Sequence, residues 1–118
     1  MVVSWPLLDR RPVVRGGFVI LEAAVLNVIG GEERAFEQAM KTARPLIEVT
    51  PGFVSLDLHR CTETKNRYLL LVRWERLEDH TIGFRQSERY EQWRKLLHHF
   101  YEPFPLVEHY GETLFANE

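Results

Sequence analysis

A chain of 118 residues is the size of one domain, able to bury roughly two-thirds of the surface that its unfolded form exposes. It is 45% hydrophobic, 27% charged and 12% aromatic, with a formal charge of -2 and no run of Lys or Arg longer than two residues, so the basic footprint that a phosphate backbone requires is missing and no nucleic-acid partner is expected. The single cysteine, Cys61, excludes an intramolecular disulfide and the Cys-rich zinc patterns, and it fits a reducing, cytoplasmic setting.

Residues 1–17, MVVSWPLLDRRPVVRGG, are broken by prolines and glycines and carry three arginines. They predict an N-terminal arm ahead of a domain over 18–118. The run FVILEAAVLNV (18–28) is short, β-rich and mostly apolar, closed by Gly30 and Gly31, and predicts a strand covered on both faces. Extended to Gly30 it still holds Glu22 and Asn27 and is too short to span a bilayer. Neither a membrane span nor a signal peptide is expected.

EERAFEQAMKTARPLIEVT places Ala35, Phe36, Ala39, Met40, Ala43, Leu46 and Ile47 at helical spacing. Glu32 and Glu33 fall in its first turn, where the helix dipole favours anions. Pro45 removes a backbone donor and predicts a kink or an early end. After the turn at Pro51-Gly52, FVSLDLHRC predicts a strand with Val54, Leu56 and Leu58 on one side and Ser55, Asp57 and His59 on the other. A polar TETKN loop leads into YLLLVRWE, where Tyr68, Leu70, Val72 and Trp74 share a face; the pair predicts an antiparallel hairpin. A helical region from about Leu77 to Phe100 follows, broken near Gly83 to Ser87, with Tyr90, Trp93, Leu96, Leu97 and Phe100 on one stripe. FPLVEHYGET predicts the last strand.

The order β-α-β-β-α-β predicts an α+β fold: a ferredoxin-like, split-βαβ antiparallel sheet with both helices on one face. The other face is also substantially apolar, which predicts a homodimer through it.

Three of the five histidines lie in LLHHFYEPFPLVEHY (96–110). With Trp93, Leu97 and Phe100 facing the core, His98 and His99 point away from it and from each other. Adjacent residues lack the three-or-four spacing of helical metal ligands, so the pair predicts a helix end. His109 shares a strand face with Val107 and could approach His59, with Asp57 or Glu108 as a third ligand. Neither strand has a recognised ligand spacing, and no metal is expected. A better constellation is Trp74, His80 and Arg94, which could converge between helices and sheet as an aromatic wall, a titratable group and a fixed cation. The competing reading makes Trp74 core, pairs Arg94 with Glu91 or Glu75, and leaves His80 solvated.

VIGGEERAFEQA, PGFVS, YLLLVRWERLEDH and SERYEQWRKLLHHFYEPF together make residues 19–110 resemble the antibiotic biosynthesis monooxygenase family of dimeric α/β barrels. Members that oxidise phenolic polyketides to quinones without a cofactor use a pocket between sheet and helices. The resemblance puts their strand-end tryptophan on Trp74 and their pocket arginine on Arg94, while their asparagine falls on Leu70 and their tyrosine near His80. The haem-degrading branch has its ligand at Trp93 or Arg94, its helix tryptophan at Gly83 or Phe84 and its asparagine near Ala24, so its triad is missing here.

What the resemblance implies is a cofactor-independent oxidation of a small phenol or hydroquinone by O2. His80 would accept a proton, Arg94 would stabilise the phenolate, and Tyr68, Leu70, Phe84 and Tyr90 would contact substrate beside Trp74. The alternative is a non-catalytic dimeric module that binds a small ligand or serves in stress.

Overall fold

The computed structural model describes residues 19–116; the N-terminal arm expected at 1–17 lies outside the described residues. Strand β1 (Ile20–Asn27) is followed by helix α1 (Glu33–Glu48) and by the hairpin β2 (Phe53–Arg60) and β3 (Arg67–Trp74). A π-helical turn (Asp79–Phe84), helix α2 (Glu88–Leu97), a 3-10 turn (His98–Phe100) and strand β4 (Val107–Tyr110) complete the described chain. The sheet order is β2-β3-β1-β4 with every neighbouring pair antiparallel, which is the ferredoxin-like arrangement.

Strand alternation builds the core. On β1, Glu22, Ala24 and Leu26 face the helices, and on β3 so do Tyr68, Leu70, Val72 and Trp74; all are buried. Helix α1 answers with Phe36, Met40, Ala43 and Ile47, a stripe at spacings of four, three and four, while Ala35 is exposed. Phe36 is fully buried against Tyr68, ring centroids 4.9 Å apart. Burial of a side chain of that size is worth roughly 1.5–3 kcal/mol. The helix passes Pro45 and ends at Glu48, within a turn of the missing donor.

One expectation on β2 shifts. A bulge between Phe53 and Ser55 adds a residue to the strand and changes its phase. Leu56 and Leu58 lie opposite Val72 and Leu70 on the helix side, as the alternation predicts. Across the bulge it is Phe53, rather than Val54, that meets the core, edge-on to Trp74 with centroids 5.9 Å apart.

Gly52 makes the turn into β2. Its φ is +91°, and a Cβ there would overlap the carboxylate of Asp79, which accepts the Arg76 N–H at 3.1 Å and so opens the π-helical turn. Gly52→Ala is therefore expected to cost about 2 kcal/mol or more, measured by denaturant unfolding. A variant as stable as the parent would show that this turn and the Asp79 carboxylate relax independently.

The break expected within the helical region has a residue behind it. Ser87 is extended (φ -100°, ψ 162°), so it stops one helix and caps the next: its Oγ accepts the Tyr90 N–H at 3.3 Å and donates to the Phe84 carbonyl at 2.6 Å. The opposite face of the sheet has no helix over it among the described residues. Val25 and Leu69, paired across β1 and β3, are 47% and 37% exposed there.

Candidate active site

Glu22 is the one acidic residue of β1, and the alternation that buries Ala24 and Leu26 also buries it. Its cross-strand partner on β4 is His109, so both side chains leave the sheet on the helix side. His80 comes down between them from the π-helical turn. That turn is closed by the Arg85 N–H bonding to the His80 carbonyl at 3.0 Å, a five-residue spacing that occurs mostly as short bulges near functional sites. His80 Nδ1 lies 2.8 Å from His109 Nε2, and His80 Nε2 lies 3.5 Å from Glu22 Oε1. The Trp74 indole N–H donates to the same Glu22 oxygen at 2.9 Å, and the Trp74 ring stacks on the His80 imidazole, 17° from parallel at 5.4 Å.

Burial sets the charge of this row. It pushes the Glu22 carboxyl up to about 7, although the Trp74 N–H and the Arg85 guanidinium pull the other way. Burial, then the charge of Arg85 and His109, brings His80 down to about 3. His109 is also lowered, first by burial and then by Arg85. Glu22 and His80 are each pushed towards neutrality, so their 3.5 Å contact is not an ion pair at neutral pH. Glu22 is the member that titrates there.

Beside the row is a cavity of about 180 Å³ between sheet and helices. Glu22, His80 and Arg85 supply its polar end, while Leu70, Phe84, Tyr90 and Trp93 are among its apolar and aromatic walls. Phe104 and Pro105, from the segment before β4, border it as well.

The expected site residues separate into two groups. Leu70, Phe84, Tyr90 and His80 line the cavity. Trp74 does not; fully buried, it stands behind the wall and holds Glu22 and His80. Arg94 is outside the lining, its side chain 49% exposed and its guanidinium 2.8 Å from Glu91 one helical turn back, as the competing reading had it. Tyr68 also turns away, its hydroxyl donating a hydrogen bond to Glu37. The arginine among the cavity's lining residues is Arg85, itself exposed at the end of the π-helical turn.

Two histidine expectations change too. His98 is half-buried and lines the cavity, because the chain returns over it after the helix and sets Phe104 edge-on to its ring at 5.0 Å. His99 is exposed. His109 cannot approach His59, since β4 and β2 are the two outer strands of the sheet and His59 lies on the uncovered face opposite Leu69. Among the described residues no group of three His, Cys, Asp or Glu is arranged to hold a metal ion. The nitrogens of His80 and His109 meet each other rather than a common centre.

Residues 19–96 match the family model of the antibiotic biosynthesis monooxygenases. The chain belongs to that family. YczJ, an uncharacterised protein of Bacillus subtilis, is 49% identical to this antibiotic biosynthesis monooxygenase-family chain over 95 residues, which are 80% of this chain and 100% of YczJ. The crystal structure of a Bordetella bronchiseptica protein assigned to the same family is 37% identical, with a TM-score of 0.78 over 82% of this chain and 99% of that one. SnoaB, a cofactor-independent oxygenase from Streptomyces nogalater, shares the fold at 17% identity, with a TM-score of 0.64 over 84% of this chain and 95% of its own. No helix among the described residues of this family member is long and apolar enough to cross a membrane.

Proposed function

We propose that this antibiotic biosynthesis monooxygenase-family protein is a cofactor-independent oxygenase of a small phenol or hydroquinone, acting as a homodimer. The observation that carries the reading is Glu22: a buried carboxyl on the wall of an aromatic cavity, tuned to about 7. A general base works best with a pKa near the working pH. His80, expected from its residue type to accept the proton, is brought too low for that and instead abuts Glu22. The cavity of about 180 Å³ suits one aromatic ring, since a cavity of roughly 150 Å³ binds benzene.

In this scheme the phenolic O–H gives its proton to Glu22, and the Arg85 guanidinium stabilises the phenolate. The phenolate passes one electron to O2. The resulting radical pair forms a ring C–O bond, the peroxide takes back the proton held by Glu22, and the O–O bond of this hydroperoxide breaks with loss of the ring hydrogen. One oxygen stays as the quinone carbonyl and the other leaves as water, so phenol and O2 become quinone and water. The substrate supplies the electrons. SnoaB, a cofactor-independent oxygenase on the same fold, supports this reading.

The dimer is proposed through the uncovered sheet face, where Val25 and Leu69 stand exposed. Oxygen uptake with a panel of single-ring phenols and hydroquinones tests the activity. Arg85→Ala is expected to lower kcat/KM at least about tenfold, whereas Arg94→Ala, outside the cavity, stays within about twofold. The reverse order would move the cation back to Arg94. No uptake by the parent protein would leave a binding module.

A further inference from the structure

The geometry points to a proton relay, in which Glu22, His80 and His109 connect the cavity to solvent at the outer strand β4 and His109 is the port. It rests on the proposed role of Glu22 and adds what that role needs. A Glu22 that meets its substrate while protonated must first lose that proton, and an apolar ligand filling the cavity blocks water from it on that side. The row offers another way out. Glu22 lines the cavity, His80 is 3% exposed with its Nδ1 2.8 Å from His109 Nε2 and its Nε2 3.5 Å from Glu22 Oε1, and His109 is half-buried at the edge of the sheet.

The transfer balances. With His80 carrying its proton on Nδ1, bonded to His109 Nε2, its Nε2 is bare towards Glu22. A proton from the Glu22 carboxyl moves to His80 Nε2 as the Nδ1 proton moves to His109 Nε2, and His109 releases its own Nδ1 proton to water. Glu22 is left ionised, and both imidazoles are left neutral in the other tautomer. A proton returning by the same path restores both. Two neutral imidazoles suit this hand-over, because neither holds a charge that must be expelled.

The groups facing the row are few. Trp74 on β3 donates to Glu22 and holds the His80 ring by stacking. Arg85, after the π-helical turn, is the nearby cation acting on Glu22, His80 and His109 alike. Tyr90 and His98 of the α2 region and Tyr101 border the cavity, and α1 contributes Ile47, which cannot titrate.

Exchange of the His80 ring N–H with water, followed by 15N NMR in the whole protein, tests the relay without turnover. His109→Phe removes the port and fills its space; His109→Gln keeps a hydrogen-bonding group that cannot pass a proton on. In both, exchange at His80 is expected to slow at least about tenfold. Unchanged exchange in the two variants would overturn the relay. So would exchange slowed by phenylalanine but not by glutamine, since that reports blocked water alone. Oxygen uptake separates the two proposals. Slowed exchange in a protein that oxidises no hydroquinone keeps the relay and removes the oxygenase. Active protein with unchanged exchange does the opposite.

Discussion

Glu22→Gln is expected to lower turnover by about 10²- to 10⁴-fold while the protein stays folded, the loss ordinary for removing a general base. The amide can still accept the Trp74 N–H, so the loss would come from basicity rather than collapse of the wall. Stability gives a second reading on the same variant. Burial raises Glu22 from 4.5 to about 7, so the folded protein holds this proton more tightly than the unfolded chain. Its contribution is therefore fully present below the ordinary carboxyl pKa and is lost as pH rises through about 7. Glutamine, neutral throughout, escapes that loss. The variant is expected to melt close to the parent near pH ~5 and above it near pH ~8, by a margin on the order of 3 kcal/mol at most. His80 has the opposite slope, since its lowered pKa costs stability as pH falls from 6.5 towards about 3. Both proteins keep that slope, so the difference between them isolates Glu22.

The double variant Val25→Lys, Leu69→Lys is expected to turn a dimer into a monomer at micromolar concentration, as measured by light scattering. The two positions are direct partners across β1 and β3 on the uncovered face, so the substitution sets two ammonium groups side by side at the centre of the proposed interface. Burying either without a counter-ion costs several kcal/mol, and their mutual repulsion adds to it. A parent protein that is already monomeric would contradict the dimer, and a double variant that still dimerises would place the interface elsewhere.

Much of the fold can be read from periodicity, because its elements obey simple periods. Tyr68, Leu70, Val72 and Trp74 alternate without interruption, and Phe36, Met40, Ala43 and Ile47 follow the helical stripe. Period failed where one residue was inserted: the bulge at Val54 puts Phe53 in the core, and nothing local in FVSLD announces it. The candidate site was harder to see, because its members are joined only by tertiary structure. Glu22 did leave a signal, a carboxylate in phase with the buried Ala24 and Leu26, and such a residue demands a partner or a raised pKa. His109 joins it through the register of β4 on β1, which no local pattern encodes. Arg94 looked like the pocket cation because it borders the stripe of α2, yet Glu91, three residues earlier, holds it on the surface. Arg85 sits in the irregular break before α2, where periodicity says nothing about direction.

Glu22, and not a histidine, is proposed to take the substrate proton in the cavity between sheet and helices. The pH dependence of kcat/KM for oxygen uptake tests it most directly, in the parent and in Glu22→Gln. The parent is expected to show a limb that rises with pH and bends near about 7, as Glu22 ionises, and the variant is expected to lose that limb along with its activity. A limb that persists unchanged in Glu22→Gln would contradict the account.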